Sequence, residues 1–345
     1  MEKSGVRETK WLFFILMISH ICLGAIGELT KAMATGGIWG LLLSALVALA
    51  IMFVTELCLG SGGCRSLQSY FGYPLYTTLA TVLFVVTLFG TAQRMKDFSL
   101  AIGSTVLLQS PAVFILFIMS LASFVVALVG LEAITRYALV ASGVFFLFAG
   151  ALFFTNIPRA EIINIYPLGG KNGFSNPFCS LYVFSDAVYF FFIQKSINNN
   201  KKIPYPISKT IITVSVTGVA ITLFYCLCVP YPASTMYKYP LYRLSLLANS
   251  SVVFQRLDGL VYIIWIFFSF ISQGALVIFA MDIISDALKL KNKKAIAGTV
   301  TLICFLISMM DSDFTFFVRL FSVGFAFLIF PVCALLVKKG RERNE

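Results

Sequence analysis

The chain has 345 residues, of which 59% are hydrophobic and only 12% charged. A single soluble core could not bury that much apolar surface, so a soluble globular domain is excluded. The net charge of +11 does not call for a nucleic-acid partner, because basic loops beside anionic lipid headgroups account for it.

Hydrophobic residues recur in stretches of about 16–25, the length a helix needs to cross a bilayer core. Ten spans can be drawn: Trp11–Gly27, Gly37–Cys58, Leu75–Gln93, Ala112–Gly130, Leu139–Phe154, Pro177–Gln194, Ile211–Val229, Leu260–Ile284, Ala295–Met309 and Phe317–Val337. They lack a period of two, which argues against a β-barrel, and backbone amides in lipid need internal partners, which leaves helices. The expectation is an all-α polytopic membrane protein of ten transmembrane helices. The first helix reads as retained, since no small-residue cleavage site follows a short apolar core.

An even number of spans puts both termini on one side. Seventeen lysines and arginines fall on that side and seven on the other, with Arg94 and Lys96 at the outer end of the third span. Both termini are therefore expected to be cytoplasmic. No linker separates a soluble domain, so residues 1–345 read as one transmembrane domain. Five spans (about 11–154) precede an outer connection (155–176), and five (about 177–337) follow it. An odd number in each half makes the halves enter from opposite sides, as an inverted repeat requires. The outer segment Pro230–Gly259 carries Tyr231, Tyr239 and Tyr242, which suit either interfacial anchoring or a short surface helix.

The first and sixth spans, which correspond in the two halves, are both interrupted. The first carries Gly24 and Gly27 in the run Cys22-Leu23-Gly24-Ala25-Ile26-Gly27, and the sixth carries Ser185-Asp186 in its middle. Together with three other stretches, these residues resemble the spore-germination permease family, the B subunits of nutrient germinant receptors. That family lies within the amino acid–polyamine–organocation superfamily. The stretches are Arg94-Met95-Lys96-Asp97-Phe98; Ile165-Tyr166-Pro167-Leu168 through Asn172-Gly173-Phe174, followed by Lys201-Lys202; and Tyr239-Pro240-Leu241 with Phe254-Gln255-Arg256-Leu257-Asp258-Gly259-Leu260. The resemblance implies a five-plus-five inverted repeat with a ligand pocket between the first, third, sixth and eighth spans. It further implies nutrient sensing in the spore inner membrane, with an A-type membrane subunit and a C-type lipoprotein as partners. The ligand would be a small nutrient such as an amino acid. A secondary amino-acid transporter is the alternative.

Polar residues deep in the spans are the candidate site, because burying them in lipid is costly. Asp186, near mid-depth, suits a ligand or ion contact, or a neutral acid bridging helices. His20, the only histidine, could share a proton with Asp186 or simply hydrogen-bond between helices. Gly24, Ala25 and Gly27 would allow either unwinding that exposes backbone dipoles or close helix packing. Arg94 either snorkels to the outer interface or holds a gate or an anionic group, and Thr91 lies one turn deeper. Ser185 adjoins Asp186, while Ser269 and Gln273 cluster with Ser272 on the eighth span, to coordinate a ligand or bridge helices. Glu56 is expected to reach the cytoplasmic interface. Asn249-Ser250-Ser251 fits a glycosylation sequon. Eight cysteines, without C-x-x-C spacing, indicate packing rather than a metal site. No catalytic motif and no cofactor signature is present, so no enzyme is expected.

Overall fold

The computed structural model describes residues 4–59, 67–170, 178–194, 197–198, 205–248, 257–310 and 314–342. Within them the chain is helical apart from connections and one short parallel pairing of Ser4–Gly5 with Ile197–Asn198. Seven helical runs are long and apolar enough to cross a membrane. The stretches Asn172–Phe174, Lys201-Lys202, Asn249–Ser251 and Phe254–Arg256 lie outside the described residues.

The first run, Val6–Leu59, has 54 residues, about 80 Å of helix at 1.5 Å per residue and too long for one crossing. It comprises α1 (Val6–His20), a π-turn (Ile21–Ala25), α2 (Ile26–Met33), a 3-10 turn (Ala34–Gly36) and α3 (Gly37–Leu59). The chain reverses at Ala34, whose φ is 54°. A Cβ at Gly40 would come within 2.9 Å of the Met33 sulfur, so glycine lets α3 return along α2. The helical winding thus continues past Gly27, where hydropathy placed the end of the first span, because Glu28 and Lys31 are polar yet good helix formers.

After α4 (Leu67–Phe71), α5 runs from Tyr73 to Thr105. This corrects the expected end of the third span at Gln93: charged side chains do not stop a helix, and the first strong breaker downstream is Pro111. α6 (Ala112–Val129) and α7 (Leu131–Asn156) follow, the latter starting eight residues before the Leu139 read from hydropathy. The sixth segment is a 3-10 helix over Leu181–Val188 continued by α8 (Tyr189–Ile193). Then come α9 (Pro206–Cys228), α10 (Pro240–Ala248), α11 (Leu257–Leu288), α12 (Lys293–Ser308), α13 (Thr315–Gly324), a π-turn (Phe325–Ile329) and α14 (Phe330–Glu342).

α1 is the central post. Every residue from Leu12 to Ser19 is buried, against α7, α9, α11 and the 3-10 segment. A helix apolar on all faces has no preferred solvent side and belongs inside a bundle. α6 and α7 instead expose large apolar residues such as Phe114, Phe117 and Leu147, as lipid-facing helices do.

The segments between the long helices are tied down by hydrogen bonds from side chains. Asn156 Nδ2 donates to Leu244 O at 3.2 Å and Arg159 donates to Leu247 O, which satisfies carbonyls at the C-terminal end of α10. α10 is the short helix that the Pro230–Gly259 composition allowed, but it packs into the protein, with Pro240, Leu241, Leu244, Ser245 and Ala248 buried, and does not lie exposed on a surface. Trp39 Nε1 donates to Leu168 O at 3.0 Å, and Thr35 to Pro167 O.

Glu56 does not reach the interface as expected. It is 4% exposed and accepts from the backbone N–H groups of Ile207 and Ser208 at 2.9 and 3.2 Å, and from the Ser208 hydroxyl. Pro206 opens α9, and the first amides of a helix have no internal partners. The carboxylate of one span thus caps the N-terminus of another.

Candidate ligand site

Both interruptions foreseen in the sequence are present, in forms the sequence did not specify. In the first span, five residues wind as a π-turn and Gly24 leaves helical geometry altogether (φ 164°, ψ −10°). In the sixth, Ser185 and Asp186 lie within the tighter 3-10 winding. Neither segment becomes extended. The changes of winding bring His20 and Asp186 together, with His20 Nε2 3.4 Å from Asp186 Oδ2.

Between them lies Arg94, from the middle of α5. Its Nη2 donates to Asp186 Oδ1 at 2.6 Å and Oδ2 at 2.5 Å, and sits 2.7 Å from His20 Nε2. The Arg94 and Asp186 side chains are 11% and 5% exposed. The snorkelling expected of Arg94 is therefore overturned: with α5 continuing to Thr105, Arg94 is inside the helix and its charge is met by a buried carboxylate. A buried ion pair holds only if each partner compensates the other. This disposes equally of a neutral, bridging Asp186. Facing a guanidinium N–H, His20 Nε2 acts as the acceptor, so neutral His20 carries its proton on Nδ1.

These groups border a cavity of about 90 Å³, against the about 10–15 Å³ that one water requires. It is large enough for a small organic molecule. Of the residues proposed from sequence, His20, Gly24, Ala25, Arg94, Ser185, Asp186, Ser269 and Gln273 line it, from the first, third, sixth and eighth spans. Ser269 Oγ is buried without a partner, while Gln273 Oε1 accepts from Ser123 Oγ at 3.2 Å.

Two proposed residues stand apart. Thr91 is buried and turns its hydroxyl back to Thr87 O at 2.7 Å, and it is not among the lining residues. Gly27 lies within α2, and a Cβ there would come 2.5 Å from Lys238 O and 2.8 Å from Tyr237 O. It packs closely against the backbone of Tyr237 and Lys238 and does not unwind.

Sequence reasoning missed the charged upper wall of the cavity. Arg319 of α13 makes a two-pronged ion pair with Glu28 of α2, at 2.7 and 2.8 Å. Tyr182 OH donates to Glu28 Oε2 at 3.1 Å, and the Arg319 guanidinium stacks 4.1 Å from the Tyr182 ring centre. The His20 ring meets the same tyrosine edge-on at 5.4 Å. Asp97 and Lys238 complete the charged lining. A signal existed for Arg319, a lone charge just inside an apolar span, whereas Glu28 fell outside the first span because that span was ended at Gly27 while the helix continues to Met33.

The family described as "Spore germination protein", the spore permeases, matches residues 8–317 of the chain. The chain belongs to this spore permease family. No curated protein matches the sequence. Among solved structures, the fold is similar to MHP1, a nucleobase-cation-symport-1 family transporter in a closed conformation with bromovinylhydantoin bound. The TM-score is 0.56 at 11% identity, over 93% of this chain and 75% of that one. It is also similar to the Eremococcus coleocola manganese transporter in complex with an aromatic bis-isothiourea substituted compound. There the TM-score is 0.55 at 10% identity, over 96% of this chain and 76% of that one. At such identities the likeness shows the fold alone, a helical architecture shared with these two proteins. The spore permease chain is thus an integral membrane protein with seven long apolar helical runs among its described residues.

Proposed function

We propose that this spore permease is the transmembrane nutrient-sensing B subunit of a germinant receptor, and that it binds a small nutrient such as an amino acid in the cavity between the first, third, sixth and eighth spans. The observation that carries the reading is the buried cluster of Arg94, Asp186 and His20 beside two interrupted helices. Ionisable groups held deep in a membrane protein are expensive and mark ligand sites, and changes of winding in paired spans are where transporter-type folds bind substrate. On this reading the ligand favours one arrangement of the helices, and an A-type membrane subunit and a C-type lipoprotein respond to the shifted population. The chain binds and does not catalyse.

The same reading takes the chain as one domain, repeat one at about 11–154 and repeat two at about 177–337, related as a five-plus-five inverted repeat. The folded-back first run, the Leu181–Ile193 segment and α12 would bring the seven long runs to ten crossings. The lysine and arginine asymmetry supports cytoplasmic termini, and the family supports residence in the spore inner membrane.

A second reading, a secondary active amino-acid transporter, is favoured by the fold shared with solved transporters. The deciding experiment pairs two assays. Spores with and without the chain are screened for germination on single amino acids, and the chain alone in lipid vesicles is tested for uptake of the labelled amino acid. Loss of germination without uptake is expected; uptake by the chain alone transfers the assignment to the transporter.

A further inference from the structure

With the cavity as the nutrient site, the charge of its lining bears on which nutrients it takes. Among the described residues its charged lining consists of three carboxylates, Glu28, Asp97 and Asp186, and three cations, Arg94, Lys238 and Arg319. Four of these are joined in two pairs, Arg94 with Asp186 and Arg319 with Glu28. Asp97 accepts from Gln93 Nε2 at 3.1 Å, and Lys238 Nζ lies 5.6 Å from the centre of the Tyr239 ring. His20 is counted as neutral, the form whose Nε2 can accept from Arg94 Nη2 2.7 Å away. Counted at their ordinary ionisation, these six side chains cancel before any ligand arrives.

A ligand of either net sign would bring an uncompensated charge into this space, which disfavours its binding. The free hydrogen-bonding capacity agrees. Arg94 Nη1 is a buried donor without a partner, and Gln93 Oε1 is a buried acceptor without one. A donor and an acceptor on adjacent residues of the lining suit a molecule that offers both, not a simple ion. We infer that the site selects small nutrients of zero net charge, zwitterions included, over cations and anions of the same shape.

The test uses the full chain in lipid nanodiscs and three ligands of nearly one shape: asparagine, aspartate and 2,4-diaminobutyrate, whose side chains are neutral, anionic and cationic. Asparagine is expected to bind at least tenfold more tightly than either of the others. Aspartate or 2,4-diaminobutyrate binding as tightly as asparagine overturns the inference. In Glu28→Gln, Arg319 loses its counter-charge and the lining becomes positive, so the aspartate-to-asparagine affinity ratio should shift about three- to fivefold toward aspartate, the size expected of a partly screened charge. Taking the ratio cancels any general loss of folding or closure, and an unchanged ratio also overturns the inference. Silence from all three ligands removes the amino-acid reading of the site and the inference with it, whereas a preference for an ionic ligand removes the inference alone.

Discussion

Arg94 and Asp186, 92 residues apart in the sequence, meet inside the bundle through one guanidinium nitrogen that reaches both carboxylate oxygens. The contact joins the third span to the 3-10 segment of the sixth. Because both side chains are almost wholly buried, the pair acts as a unit: either charge alone would be left uncompensated in a space of low polarity.

Removing one member should therefore cost far more than removing both. Asp186→Leu alone is expected to destabilise the chain by about 3–5 kcal/mol, as is Arg94→Met alone, and the double variant Arg94→Met with Asp186→Leu by much less. Thermal melts of the wild type, both singles and the double in the same nanodiscs measure the coupling. Additive losses would mean that the ion pair is not the unit described.

The pair at the upper wall should behave differently. Glu28 and Arg319 are 47% and 31% exposed, so their attraction is screened and Glu28→Ala should cost under about 1 kcal/mol of stability. That small loss should shrink further as salt is raised. Melts at low and high ionic strength check both statements.

The two glycines of the first span are expected to separate sharply on substitution. Gly27→Ala would drive a Cβ into the backbone carbonyls of Lys238 and Tyr237, which cannot move aside as a side-chain end can. The overpacking cost is about 1–3 kcal/mol. Gly24→Ala meets only Lys238 O at 3.7 Å, an ordinary contact, and its extended φ is open to any residue. Comparing folded yield and melting temperature of the two variants tests the contrast; equal losses would contradict it.

At the opposite end of the bundle, Glu56→Ala removes the acceptor for two backbone amides and one hydroxyl at the start of α9. A lost cap of this kind costs about 1–2 kcal/mol, and the effect should be local. Hydrogen exchange of the Ile207 and Ser208 amides is expected to accelerate in the variant while the α1 amides stay protected.

The arrangement around His20 predicts which replacements it accepts. His20→Gln keeps an acceptor facing Arg94 and should retain ligand binding within a few-fold. His20→Lys places a second cation beside the guanidinium and should abolish it, because like charges at this distance in a buried site repel strongly. Binding isotherms on both variants decide between these outcomes, and equal binding by the two would refute the acceptor role.

Much of this was legible in the chain itself. Span positions followed from hydropathy, and the Gly24 and Asp186 interruptions marked where winding changes, because glycine tolerates non-helical backbone geometry and a carboxylate deep in a span must be held by specific partners. The cavity also gathers most of the polar residues those interruptions pointed to. Thr91 was misjudged because a threonine hydroxyl can satisfy itself on the preceding turn. For Arg94 the choice between snorkelling and a partner in the site stayed open, because a charged residue near the end of an apolar stretch reads the same whether the helix stops there or continues.

The amino-acid sequence alone settles that this is a helical membrane protein and where its helices are disturbed. Transfer free energies of side chains add up locally, residue by residue, whatever the rest of the chain does. Which charge meets which was decided only in the folded bundle. Arg94 finds Asp186, Arg319 finds Glu28 across 291 residues, and Glu56 finds the start of α9. Each contact depends on helix rotation and on approaches of a few ångströms that no local pattern encodes, because electrostatic and hydrogen-bond energies change steeply over distances shorter than one turn of helix.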